Sequence, residues 1–289
     1  MSSIGSFTPD FNLHSERDEH QYEVFLACNS LWARRRGESV TLQAVLHPGG
    51  GYRFLPAITA YSAGFATADG FEITALRLHD CPTLAIGFER IDKEIQRRGL
   101  TPNALAGLQL RSPGAFSFEG FAEFNDEYRQ SLIKRGLIID GVNPISRTNV
   151  IPIDQGPAVP TIAVAFIVHP SQGRSGSDFV VAGAGEVDGE LGPENIVARG
   201  DLSQKGLTLK VDCVLNIMLE RLHALGASGQ SPTTVNVYTA HEITGLSGMI
   251  EKKLPTVSTN GYSTWLTRPP VKEIEFEMDC ARYSNWAVI

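Results

Sequence analysis

The side chains able to do metal or thiol chemistry are dispersed along this chain. Cys28, Cys81, Cys213 and Cys280 form no CxxC pair and no spacing that approximates a zinc site. Cys213 lies within a helical pattern and Cys280 at the end of a strand-like run, where a buried thiol packs as a small hydrophobe. His241-Glu242 begins like a zinc-protease helix, but Ile243-Thr244-Gly245 follows and the second histidine one turn later is missing. No metal site is expected. The run from Phe179 through Gly183 and Gly185 to Gly189 imitates a dinucleotide fingerprint. Its third glycine falls one residue late and helical periodicity resumes only near Leu207, so no helix N-terminus is at hand for a pyrophosphate. The run reads as a strand followed by a turn. Neither a GxxxxGK(S/T) loop nor a GxSxG elbow occurs, which weighs against phosphoryl transfer and α/β-hydrolase chemistry.

The elements that must carry any site follow from composition and periodicity. The chain has 289 residues, 42% hydrophobic and 20% charged, an ordinary globular composition for one large domain or two medium ones. Its formal net charge of -7 disfavours nucleic acid and anionic membrane surfaces, which demand a basic face. Apolar stretches such as Thr161 to Val168 are far short of the roughly 20 residues that span a bilayer. Met1 to Asn12 lacks a cationic segment followed by an apolar run, so a cytoplasmic protein is expected.

The first 52 residues read as an irregular or short-stranded arm, with strand candidates at Val24–Leu26 and Val40–Leu46 and a solvated Arg34-Arg35-Arg36 run. Ala60–Ala66 and Phe71–Leu76 are strand candidates joined by Asp69-Gly70, the usual chemistry of a tight hairpin. Leu84, Phe88, Ile91 and Ile95 share one helical face up to Gly99, and Leu105–Leu110 reads as a strand. Phe118, Phe121, Phe124, Tyr128 and Leu132 mark a second helix closed by Gly136, with strands at Ile145–Ile153 and Thr161–Val168. A strand at Asp178–Gly183 and a helix carrying Leu207, Val211, Val214, Met218 and Leu222 come next. A strand at Thr233–Thr239, a short helix at Gly245–Leu254 and strands at Ser263–Leu266 and Lys272–Met278 complete a second round. The order strand, strand, helix, strand, helix, strand, strand is thus written twice, with a junction near Val168. It predicts an α+β fold of two modules, residues 53–168 and 169–289, each a mixed β-sheet with two helices on one face.

This duplicated pattern resembles the reactive intermediate deaminase (RidA/YjgF) family. The likeness rests on Ala60-Tyr61-Ser62, on Phe121-Ala122-Glu123-Phe124-Asn125-Asp126-Glu127-Tyr128 and on Asn143-Pro144-Ile145-Ser146-Arg147-Thr148. In the second half it rests on Pro170-Ser171-Gln172, Phe179–Val187, Ile196–Gln204 and Lys272-Glu273-Ile274-Glu275. It implies Arg147 as the carboxylate-binding residue, Tyr61 beside it and Glu273 as the general acid/base. Tyr262 stands in the place matching Arg147 in the second copy, and Asn149 and Arg268 are further pocket candidates. Neither half keeps a full set. The resemblance therefore implies a composite site, with Arg147 and Tyr61 of one module facing Glu273 of another, and assembly as a homotrimer.

Those residue types suit one chemistry. An arginine fork fixes a small carboxylate, and a shielded glutamate moves protons at an imine, enamine or vinyl carbon. The resemblance implies a deaminase or hydrolase that needs no cofactor, acting on an imine, enamine or aminomuconate-type small carboxylate. A chorismatase-like hydrolase of an enol ether and a non-catalytic ligand-binding protein are the alternatives. Read from residues alone, Glu273 also fits the solvent face of a strand whose other face is Ile274, Phe276 and Met278.

Overall fold

The periodic runs fold largely where the spacing places them in a computed structural model that describes residues 42–154, 156–171 and 178–289. Val24–Leu26 and the Arg34-Arg35-Arg36 run lie outside those residues. Helix α1 (Leu84–Arg97) buries Phe88, Ile91 and Ile95 and stops at Gly99, whose φ of 69° favours glycine. Helices α2 (Phe118–Ile133) and α3 (Gln204–Ala224) start on serine caps: Gly120 N donates to Ser117 Oγ at 3.1 Å and Gly206 N to Ser203 Oγ at 3.2 Å. Two short helices follow, α4 (Leu246–Lys253) and α5 (Val257–Asn260).

The strands of the first half are β1 (Val45–Leu46), β2 (Tyr52–Leu55), β3 (Gly64–Thr67), β4 (Phe71–Arg77), β5 (Leu105–Arg111), β6 (Ser146–Pro152) and β7 (Thr161–Pro170). The rest are β8 (Phe179–Gly185), β9 (Thr234–Thr239), β10 (Ser263–Arg268), β11 (Phe276–Arg282) and β12 (Asn285–Val288). They form one mixed sheet in the order β1-β2-β3-β8-β11-β9-β10-β6-β5-β7-β4-β12. The series β4-β7-β5-β6 and β8-β11-β9-β10 have the same connectivity, with two antiparallel pairings and then one parallel pairing. They meet where β6 runs antiparallel to β10. The α+β class expected from the sequence is the one observed.

Two expectations change in detail. Asp69-Gly70 does make a turn, with Phe71 N donating to Ala68 O at 3.2 Å, but β3 and β4 do not pair as a hairpin. Both edges of β3 are taken by β2 and β8, so the turn reverses the chain without choosing its partner. The last core strand starts at Phe276, four residues later than expected, because Val271–Glu275 form a turn with Ile274 N bonded to Val271 O and Glu273 at a φ of 70°.

Three apolar clusters hold the layers. Helices α3 and α4 cover β8, β9 and β11 through Leu207, Val214, Met218, Val237 and Met278. Helices α1 and α2 cover β4, β5 and β7 through Phe88, Ile91, Phe124, Leu108 and Ile167. The third cluster, including Phe65, Ile73, Phe166 and Val180, fills the opposite face. An isolated bridge between Ser62 and Ser146 joins the approach to β3 with the start of β6. It rolls β3, β8, β11, β9, β10 and β6 into a closed ring, so the face opposite α3 is covered rather than wet.

One buried ion pair locks α3 to the entry of β11. Lys210 Nζ lies 3.1 Å from Glu186 Oε1, both side chains 0% exposed, and donates to Val197 O at 3.0 Å. The same carboxylate accepts from Glu275 N at 2.7 Å and Phe276 N at 3.0 Å. Removing one partner strands the other charge in a dry interior. Lys210→Met is therefore expected to lower the unfolding free energy by about 3–5 kcal/mol, measured by urea denaturation. An unchanged midpoint would show that the backbone amides alone hold Glu186.

Candidate functional site

Two segments singled out in the sequence are tied together at the ring's closure. Asn143 Nδ2 donates to Ala60 O at 2.6 Å, Ile145 N to Asn143 Oδ1 at 2.9 Å, and Ser62 Oγ to Pro144 O at 2.9 Å. These bonds place Tyr61 beside β6. Strand alternation then sends Arg147 and Asn149 to the α2 side, and Ser146 and Thr148 into the ring.

Arg147 is 3% exposed and sits in an aromatic cage. Its guanidinium carbon lies 4.6 Å from the ring centre of Tyr61, 4.8 Å from Tyr128, 5.4 Å from Phe124 and 5.5 Å from Phe121. Cation–π attraction of this kind contributes about 0.5–2 kcal/mol per ring. Nη2 donates to Asn125 Oδ1 at 2.7 Å, whereas the buried Nη1 has no hydrogen-bond partner. Among the described residues no carboxylate forms an ion pair with Arg147. Burial lowers its basicity, opposed by the fields of Tyr128, Tyr61 and Glu277. A buried cation with an open donor carries a desolvation penalty that no ion pair among the described residues offsets.

The acid that acts on Arg147 is Glu277, on β11. It is buried, and its carboxyl is pushed up to about 8 by burial and then by the charge of Asp279, against the pull of Arg147 and Arg221. At neutral pH it therefore carries a proton. Gly183 makes room for it: a Cβ on that residue would collide with Glu277 Oε1. Asp279, two residues along the same face, accepts from Thr148 Oγ1 at 2.8 Å, Tyr238 OH at 2.9 Å, Gln109 Nε2 at 3.0 Å and Asn236 Nδ2 at 2.8 Å. Four donors on one carboxylate fix both its place and its acceptor role. Thr148 Oγ1 in turn accepts from Gly183 N at 3.0 Å, so β6, β8 and β11 converge on this point.

The family model for 2-aminomuconate deaminase CnbZ matches residues 44–286. The chain belongs to that family. A 2-amino-5-chloromuconate deaminase of Comamonas testosteroni is 36% identical over 244 residues, covering 82% of this chain and 95% of the relative. A chorismatase structure, 12% identical, covers 83% of this chain and 79% of its own with a TM-score of 0.44. A putative endoribonuclease of Thermotoga maritima MSB8, 17% identical, covers 46% of this chain and 91% of its own with a TM-score of 0.26. The deaminase resemblance read from the sequence agrees with membership of this family.

Of the site residues named from the sequence, Tyr61 and Arg147 are brought together. Asn149 is close by along β6 and buried; its Oδ1 accepts from Ser112 Oγ at 2.9 Å while Nδ2 has no partner. Glu273 is not in this group. It stands in the turn before β11, its side chain 46% exposed, paired with Arg199 Nη2 at 2.7 Å and Nε at 3.0 Å. Arg199 holds its carboxyl below the usual range, opposite to what a proton donor at neutral pH requires. Arg268 is half exposed and donates to Glu275 Oε2 at 3.1 Å, which also meets His241 Nε2 at 2.8 Å. Tyr262 packs against the α3–α4 core. Tyr262 immediately precedes β10, whereas Arg147 lies within β6.

Sequence reasoning missed Glu277, Asp279 and Tyr128. Gln109 of β5 pairs with Val164 of β7, and Tyr238 of β9 pairs with Glu277 of β11.

Proposed function

We propose that the chain is a deaminase of 2-aminomuconate-type enamine dicarboxylates, with Arg147 holding a substrate carboxylate and Glu277 as general acid/base. The observation that carries this reading is the buried, unpartnered Nη1 of Arg147 acting on an acid kept protonated by its surroundings. Family membership supports it.

The chemistry balances without redox. Protonated Glu277 gives its proton to an enamine carbon, and the nitrogen lone pair forms the C=N bond of an iminium at C2. The resulting carboxylate takes a proton from water as the oxygen adds to C2. Glu277, reprotonated in that step, gives its proton to the carbinolamine nitrogen and takes the hydroxyl proton as the C=O bond forms and the C–N bond breaks, so that 2-aminomuconate and water become 2-oxohexenedioate and ammonia. An acid near its own pKa at working pH suits both directions of transfer. Tyr61 and Tyr128, whose phenols burial holds in the protonated form, supply neutral donors beside the arginine.

Arg147 comes from the first strand series and Glu277 from the second, and each acts electrostatically on the other within one chain. The homotrimer implied by the resemblance belongs to the same proposal. The two-module division, residues 53–168 and 169–289, belongs to the same proposal, its boundary falling near the end of β7.

The test is turnover. Ammonia release from 2-aminomuconate is expected, with little from 2-aminoacrylate. Pyruvate release from chorismate, without ammonia from 2-aminomuconate, would replace this reading by enol-ether hydrolysis.

A further inference from the structure

A second, half-buried guanidinium acts on the same acid. Arg221, in the last turn of α3, donates through Nη1 to Ala182 O at 3.0 Å and Gly183 O at 3.4 Å. Gly183 is the residue whose missing Cβ makes room for Glu277 and whose amide bonds Thr148, next to Arg147. Among the described residues no carboxylate forms an ion pair with Arg221, and Nε and Nη2 make no hydrogen bond to the protein. Both guanidinium groups act electrostatically on Glu277 and on Tyr61. Apart from Glu277, the groups acting on Arg221 are Tyr61, Cys280 and Glu220.

We propose that Arg221 binds the second carboxylate of a linear dicarboxylate whose first carboxylate is held by Arg147, and that this pair selects dicarboxylates over monocarboxylate enamines. The inference rests on the deaminase reading for the identity of the substrate, but not for its geometry. Two cations that form no ion pair with a carboxylate among the described residues, and that both act on one buried acid, are neutralised together by a dianion. A muconate skeleton carries a carboxylate at each end of a conjugated six-carbon chain. With its ends held by the two arginines, its reacting carbons are presented to the acid on which both arginines act. A monocarboxylate would leave one guanidinium unpaired, the usual origin of strong discrimination in a polar site.

The test is binding of trans,trans-muconate and of sorbate, its monocarboxylate counterpart, to the full chain by calorimetry. Wild type is expected to prefer muconate. Arg221→Gln is expected to weaken muconate by about 10- to 100-fold while leaving sorbate within about threefold. Arg221→Lys, which keeps the charge, is expected to fall between, and far-ultraviolet circular dichroism confirms that both variants fold. Equal weakening of both ligands, or no preference in wild type, would overturn the proposal. If the preference depends on Arg221 but wild type releases no ammonia from 2-aminomuconate, the deaminase reading fails and the dicarboxylate site stands. If ammonia is released and Arg221→Gln keeps the full preference, the opposite holds.

Discussion

Glu277→Gln is expected to lower kcat/KM for 2-aminomuconate by about 10²- to 10⁴-fold, the range for a lost general acid/base. The amide keeps the shape and the polar contacts of the carboxyl and removes only the transferable proton. The pH profile makes the assignment specific. Glu277 must be protonated to act on the enamine carbon and has its carboxyl pushed up to about 8, so kcat/KM of wild type is expected to fall as pH rises through about 8. That alkaline limb should be missing in the residual activity of Glu277→Gln. Asp279→Asn gives the sign test. Its negative charge is the second cause of the raised value, so removing it favours the Glu277 carboxylate and should move the limb to lower pH. Glu273→Gln is the control. That residue faces solvent and Arg199, and its substitution is expected to leave both rate and profile unchanged. A wild-type alkaline limb surviving in Glu277→Gln would assign the proton to another group.

The contrast between Glu273 and Glu277 shows what the sequence could and could not reveal. Residues 273, 275 and 277 share a parity, opposite to Ile274, Phe276 and Met278, so alternation puts all three acids on one face. A strand face carrying acids normally reads as wet, and nothing local distinguishes its members. What separates them is non-local. Glu273 lies in the turn, whereas Glu277 and Asp279 lie on β11 and point into the ring closed by the β3–β8 pairing and the Ser62–Ser146 bridge. Helix α1 is legible because its spacing, entry and Gly99 stop are all local, and the Gly183–Gly185 run ends a strand, with no α-helix beginning between Gly185 and Gln204. Arg147 and Tyr61 were legible as motif residues. Their cage was only half so: Phe121, Phe124 and Tyr128 mark a helical face, but periodicity does not show that an arginine is clamped against it.

Arg147→Met should separate function from stability. If Arg147 holds a carboxylate in both the ground and transition states, its loss should act mainly by raising KM, with kcat/KM falling by about 10²- to 10³-fold, as for removal of one partner of a buried charge pair. Stability should respond differently. The guanidinium gives up one hydrogen bond to Asn125 and its contacts with four aromatic rings, but it also carries the several-kcal/mol penalty of a buried ion without a counter-ion. Methionine fills most of the volume with an unbranched apolar chain suited to an aromatic cage. The two sides nearly cancel, so the unfolding free energy is expected to move by less than about 2 kcal/mol, against the loss of about 3–5 kcal/mol for Lys210→Met. Ligand linkage sharpens the comparison. Muconate at one hundred times its Kd should stabilise wild type by about 2.7 kcal/mol and Arg147→Met by almost nothing at the same concentration. An Arg147→Met protein that unfolds as readily as Lys210→Met, or that muconate still stabilises fully, would make this arginine a structural residue. Retained folding with lost stabilisation identifies its missing counter-ion as the substrate.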